Sequence, residues 1–195
     1  VSATPPFFDP HHPQTRLALA YASAEGKPLW SAYFAFEARL AEANERTSQP
    51  MMTQLRLAWW RDRLNVPAVD WPKGEPLLAA LTPWDHERTA LAGLVDGWEA
   101  ALVGEDSGHA LAEARIGAMV ALARLLRVDA EQTIESAARD WQYPGPARPA
   151  RLLPRPMRPL AVLRMLAMRQ AARRDGATAA LCDAFALLRL LLTGR

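Results

Sequence analysis

Pro50 divides the most strongly patterned stretch of this chain, Trp30 to Leu64 (WSAYFAFEARLAEANERTSQPMMTQLRLAWWRDRL), and that division constrains the fold more than any other feature. A proline has no backbone N–H to donate, and its fixed φ suits the first turn of a new helix. With Ser48 and Gln49 before it, the stretch reads as two helices joined in a hairpin. On the first helix Trp30, Tyr33, Phe34, Glu37, Ala41 and Asn44 recur in steps of three or four, placing aromatic bulk and two polar groups on one face. On the second, Leu55, Trp59 and Val66 make an apolar stripe, with a basic and aromatic stripe of Arg56, Trp60 and Arg63 beside it. The hairpin is expected at the centre of the core, with the Trp59 indole facing inward.

The remaining segments also carry helical patterns. Gln14 to Ala24 reads as a short helix ended by Gly26, and Asn65 to Pro76 as a linker anchored by Trp71. Leu77 to Leu81 is a short helix stopped by Pro83, after which Asp85 is placed to cap a helix from Arg88 to Val103. In that helix Leu91, Leu94, Val95, Trp98 and Leu102 share a face, and Gly104 ends it. Ser107 to Leu126 is a helix rich in small residues such as Gly117, which permit close helix contacts. Asp129 is placed to cap the helix Ala130 to Gln142. Tyr143 to Pro159 holds six prolines and reads as a connector. A final pair follows, Leu160 to Arg174 and Ala177 to Leu192, with Leu160, Leu163, Ala167 and Gln170 on one face of its first member. No segment keeps strand alternation over a useful length, so the expectation is one all-α domain over residues 1–195, a single-domain helical bundle.

Charge is informative in its distribution. The formal net charge of +2 does not point to nucleic acid. Of 23 basic residues only Lys27 and Lys73 are lysine, and between Trp141 and Arg174 there are eight arginines and no acidic residue. Arg151, Arg155 and Arg158 in the connector form a candidate basic docking patch, for a protein partner or an anionic membrane surface. Asp85, Glu87, Asp96, Glu99, Glu105, Asp106 and Glu113 give the middle of the chain an acidic character, and an internal pairing of the two regions is the alternative. Cys182, the single cysteine, excludes an internal disulfide and reads as a buried thiol; adjacent His11 and His12 do not converge as metal ligands would. The chain shows no secretory signal and no apolar run long enough to span a bilayer. The expected location is cytoplasmic, with peripheral contact at the inner membrane as an extension of that reading.

The same stretch resembles the squalene/phytoene synthase family, and more closely its non-catalytic branch, which includes the mitochondrial complex I assembly factor with a phytoene-synthase-like domain. The matching elements are Ala35-Phe36, Leu40-Ala41, Ser48 with Pro50, and Leu55-Arg56-Leu57 running into Trp59-Trp60-Arg61; Leu94 to Glu99 and Leu152-Leu153-Pro154 add to them. The resemblance covers residues 14–165 and implies a shortened isoprenoid-synthase-like helical fold. The family's enzymes join prenyl diphosphates on magnesium ions held by two aspartate-rich motifs, since that hard cation prefers carboxylate and phosphate oxygens. Here the first motif's place reads Leu40-Ala41-Glu42-Ala43-Asn44-Glu45. An aspartate expected before Leu102 is Ala101, and Asp140 is followed by Tyr143-Pro144-Gly145-Pro146.

These departures imply a catalytically degenerate protein with no catalytic residues, no metal site and no cofactor, magnesium entering only if the chain were an enzyme. Three functions follow. The first is a scaffold or assembly factor holding a protein partner. The second is a binder of prenyl diphosphate or isoprenoid lipid, in which Arg56 and Arg63 clamp the diphosphate and Trp30, Phe34, Trp59 and Trp98 line a groove for the tail. The third is a residual farnesyl or geranylgeranyl transferase using Glu42 and Glu45. Oligomeric state is left open.

Overall fold

The computed structural model describes residues 12–45, 50–104, 106–145 and 152–174. Its helices are α1 (Pro13–Ala20), α2 (Lys27–Glu45), α3 (Pro50–Leu64), α4 (Pro76–Leu81), α5 (Arg88–Val103), α6 (His109–Leu125), α7 (Glu131–Gln142) and α8 (Arg158–Arg174). Short 3-10 turns add Ala68–Asp70, Thr82–Glu87 and Arg155–Met157, and there is no strand among the described residues. The fold is an all-α helical bundle. The expected helix Ala177–Leu192 and Cys182 lie outside the described residues, as do His11 and Arg151.

Helix α2 lies against α1, α3, α4 and α5, and the remaining contacts run α3 to α5, α5 to α6, α6 to α7, α7 to α8 and α8 back to α1. The aromatic face anticipated for α2 is the reason. Trp30, Tyr33, Phe34, Phe36 and Leu40 are all fully buried. Trp30 stacks on Phe34 at 5.7 Å, and Tyr33 on Trp84 at 6.1 Å. Buried indoles find outlets for their N–H groups here: Trp30 donates to the Pro156 carbonyl (3.1 Å), Trp84 to that of Leu29 (3.3 Å) and Trp71 to that of Val66 (3.0 Å). The first of these ties the start of α2 to the turn before α8. Trp71 is thus the linker's anchor, as expected.

The hairpin forms, but α3 is rotated from its expected setting. Leu55 and Trp59 remain 58% and 40% exposed, whereas Thr53, Leu57, Trp60 and Leu64 are buried. The helix carries two apolar stripes, and the contacts of its neighbours choose between them. Trp60 meets Phe36 of α2 edge-on at 5.2 Å, and the Thr53 hydroxyl donates to the Ala43 carbonyl at 3.0 Å. On the far side Arg61 binds Asp96 at 2.6 Å and also Glu99 of α5. With α2 and α5 holding those two sides, Trp59 is turned outward.

Helix α5 buries Leu91, Leu94, Val95 and Trp98 as its periodicity predicts, and Gly104 ends it in the left-handed conformation at φ 77°. Its close approach to α6 occurs at Gly97. A Cβ there would lie 2.8 Å from the Leu111 Cα and 3.2 Å from the Ala110 carbonyl oxygen. Gly117, expected to serve packing, faces open space, and alanines at 118, 121 and 123 bring α6 against its neighbours instead.

Several anticipated helix starts differ. Asp85 accepts the Ala68 N–H at 2.9 Å and does not cap α5, because the 3-10 turn Thr82–Glu87 leads directly into that helix. Asp129 makes no cap for α7, whose N-terminal neighbour is Ala130. At α6 the work falls to Asp106 and not Ser107: its carboxylate accepts from Gly108 (2.9 Å) and Ala110 (2.5 Å), while Ser107 takes a positive φ of 55°. His12 at the start of α1 accepts from the Gln14 N–H through Nδ1, at 3.3 Å.

Candidate functional site

Two polar centres lie along α2, one inside the bundle and one at its surface. The inner one is Glu37, fully buried among aromatic rings. An isolated buried carboxylate would be very unfavourable, so its partners define it. Arg115 of α6 forks onto it, Nε to Oε1 at 2.9 Å and Nη2 to Oε2 at 3.1 Å. The Trp98 indole N–H donates at 2.9 Å and the Tyr33 hydroxyl at 3.1 Å. Arg115 also lies over the Trp98 ring, 5.4 Å from its centroid. Burial, and then the neighbouring Glu37 charge, raise the Tyr33 phenol well above its ordinary pKa. For Arg115 burial works against the charge, but Glu37 outweighs it and the guanidinium is held more firmly protonated. This is a closed, satisfied ion pair with four donors to one carboxylate. It binds α2, α5 and α6 together.

Trp30, Phe34 and Trp98, expected to line a groove, belong to this interior and have no solvent access beyond 1%. Their face is apolar because it is core. Of the anticipated lining residues only Trp59 reaches the surface.

The outer centre is a groove of about 790 Å³ between the C-terminal half of α2, α3 and the residue before α4, lined by Arg39, Glu42, Ala43, Arg56, Trp59, Trp60 and Glu75. It brings together three residues singled out from sequence, Glu42, Arg56 and Trp59, and adds Arg39 and Glu75. Arg39 and Glu75 approach to 4.0 Å. The walls thus carry two guanidiniums, two carboxylates and two indoles. Trp59 and Trp60 meet edge-to-face at 4.9 Å, so the exposed ring rests on the buried one. Arg63 is half-buried beyond the groove, and its Nε is a buried donor with no acceptor among the described residues. Of the expected clamp, Arg56 lines the groove and Arg63 is not among its lining residues. Glu45 ends α2, and its side chain lies outside the described residues.

Asp140, the carboxylate nearest the second expected motif, is bound by Arg164 of α8 at 2.8 Å. One arginine of the basic run is thereby paired inside the domain. Arg155 is exposed in the turn before α8, and Arg158, the first residue of α8, is half-buried with its Nε lacking an acceptor among the described residues. Among the described residues no three histidine, cysteine or acidic side chains gather in a metal-binding group, and no helix is long and apolar enough to cross a membrane.

Glu37 was visible from sequence as a polar residue on an aromatic face, but its partner Arg115 lies 78 residues away with no local signal. Arg39 and Glu75 carry none either. Comparison with family models, curated proteins and solved structures finds no match.

Proposed function

We propose that this chain is a non-catalytic relative of the squalene/phytoene synthases that acts as a scaffold or assembly protein, holding a segment of a protein partner in the groove between α2 and α3. The observation that carries the reading is the filled interior. Trp30, Tyr33, Phe34 and Trp98 pack without solvent access around the Glu37–Arg115 pair, leaving no room there for a prenyl tail. The carboxylates near the expected metal motifs support it too. Glu42 shares its groove with Arg39 and Arg56, and Asp140 is held by Arg164. That donor set does not fit a pair of magnesium ions.

The groove's chemistry favours a polypeptide over a free diphosphate. Glu42 and Glu75 would repel a dianion entering beside Arg39 and Arg56, whereas a peptide can offer both signs of charge and an apolar side chain for Trp59. The second reading, an isoprenoid-lipid or diphosphate binder, draws on the presence of two arginines and two tryptophans in one groove. A photo-crosslinking amino acid placed at Arg56, an exposed position of the groove, distinguishes the two in the protein's own cells. A discrete protein adduct, diminished by Arg39→Glu or Glu42→Arg, supports the scaffold. Labelled lipid alone supports the binder. No adduct at Arg56, with strong adducts from a control position on α7, would remove the groove from the account. Contact of Arg155 and Arg158 with anionic lipid is an extension of the scaffold reading, tested by vesicle sedimentation and its loss in high salt.

A further inference from the structure

Four of the chain's six methionines are sheltered: Met119 and Met157 have no exposed surface, and Met165 and Met168 are half-buried. Met51 and Met52 differ. They stand side by side in the first turn of α3, 72% and 41% exposed. Methionine is ordinarily an interior residue, so two adjacent ones in solvent are an informative departure. Their place on the helix matters as well. Met52 precedes Arg56 by one turn and Trp59 by two, which puts it in line with two residues of the groove between α2 and α3.

We propose that Met51 and Met52 form a site of reversible oxidation by hydroperoxides, and that their oxidation switches the groove off. The switch rests on the groove being a partner site; the oxidation itself does not. A thioether sulfur attacks one oxygen of the peroxide, the S–O bond forming as the O–O bond breaks. The hydroxide that departs takes up the proton of the transferred oxygen and leaves as water. Sulfur loses two electrons and the peroxide gains them. A sulfoxide reductase drawing on a dithiol reverses the change: the oxygen leaves as water and the dithiol becomes a disulfide. The oxidised side chain is polar and carries an acceptor oxygen. At Met52 that acceptor stands one turn from the Arg56 guanidinium, a spacing at which helical side chains meet, and it draws that charge along α3 away from the groove. It also interrupts the exposed apolar row of Met52, Leu55 and Trp59.

Peroxide treatment of the full chain, followed by peptide mass mapping, tests the site. Met51 and Met52 should each gain one oxygen roughly tenfold or more faster than Met119 and Met157, because a sulfur without solvent access reacts only when the structure opens. Circular dichroism should stay unchanged, and sulfoxide reductase with dithiothreitol should restore the original mass. The switch is read with a photo-crosslinking amino acid at Arg39, an exposed groove position that leaves Arg56 in place. Peroxide should lower the protein adduct roughly fivefold or more in the chain with both methionines. It should leave the adduct intact in Met51→Leu/Met52→Leu, which keeps the apolar bulk and takes up no oxygen. Oxidation spread evenly over all six methionines would overturn the site. An adduct equally sensitive to peroxide with and without the two leucines, or insensitive in both, would overturn the switch alone. No protein adduct from either Arg39 or Arg56 would overturn the switch together with the groove reading beneath it.

Discussion

Removing Arg115 should be among the most damaging single changes available to this protein. In Arg115→Met the apolar stem is kept and the guanidinium is lost, so the Glu37 carboxylate, fully buried, keeps only the Trp98 and Tyr33 donors. The lost contacts are two charge-assisted hydrogen bonds at 2.9 and 3.1 Å. Breaking a buried ion pair from one side costs about 3–5 kcal/mol, because the remaining charge is left uncompensated. Against a typical domain stability of about 5–15 kcal/mol, that is roughly a fifth or more of the whole. Urea unfolding followed by tryptophan fluorescence and by circular dichroism measures it. The paired variant Glu37→Met/Arg115→Met should lose clearly less than the sum of the single losses, since the orphan charge is then gone. The deficit should also persist in high salt, unlike that of an exposed pair. A loss below about 1 kcal/mol for Arg115→Met, or strictly additive single changes, would refute the reasoning and mean that solvent reaches Glu37.

Trp60→Ala should cost about 3–5 kcal/mol and Trp59→Ala less than about 1 kcal/mol, read from the same unfolding curves; the reverse order would mean α3 is set the other way. Gly97→Ala should destabilise by about 1–3 kcal/mol in a thermal melt, since its new methyl would meet the α6 backbone and not a movable side chain tip. Because the Tyr33 pKa is raised by burial, the folded state holds that proton more tightly than the unfolded one, so stability should fall as pH rises above the ordinary tyrosine value of about 10. Tyr33→Phe should flatten that fall. Asp106 has its pKa lowered by the Ala110 and Gly108 N–H groups, so its contribution is present above the ordinary carboxylate range and lost in acid. Asp106→Ala should lessen the acid dependence of melting.

The inward face of α2 was legible because one helix surface concentrates Trp30, Tyr33 and Phe34 at helical spacing, and only burial accommodates such a face. The same rule set α3 the wrong way, since the Leu55–Trp59 stripe expected inward is exposed. The helix has two stripes of comparable apolarity, and the choice rests on Phe36 and Ala43 of α2 and on Asp96 and Glu99 of α5, none of them local to α3. The capping expectation at Asp85 differed for a related reason. A side chain able to cap a helix can be claimed by a nearer or better-placed donor, as Ala68 claims Asp85. At the candidate site Glu42, Arg56 and Trp59 were legible, and the structure brings them into one groove. Trp30, Phe34 and Trp98 were read as a lining because aromatic faces serve cores and cavities alike, and periodicity does not separate the two. The central ion pair was out of reach, since nothing in the spacing of Glu37 and Arg115 links them before the chain folds.

Product analysis with geranylgeranyl diphosphate and magnesium tests the central claim most directly, namely that Trp30, Tyr33, Phe34 and Trp98 leave no room for a prenyl tail and that the proposed function lies in the surface groove. The protein should yield no coupled prenyl product over long incubation, and Glu42→Ala should behave identically. Steady formation of such a product by the unaltered chain, abolished by Glu42→Ala, would contradict the account and restore catalysis to the groove.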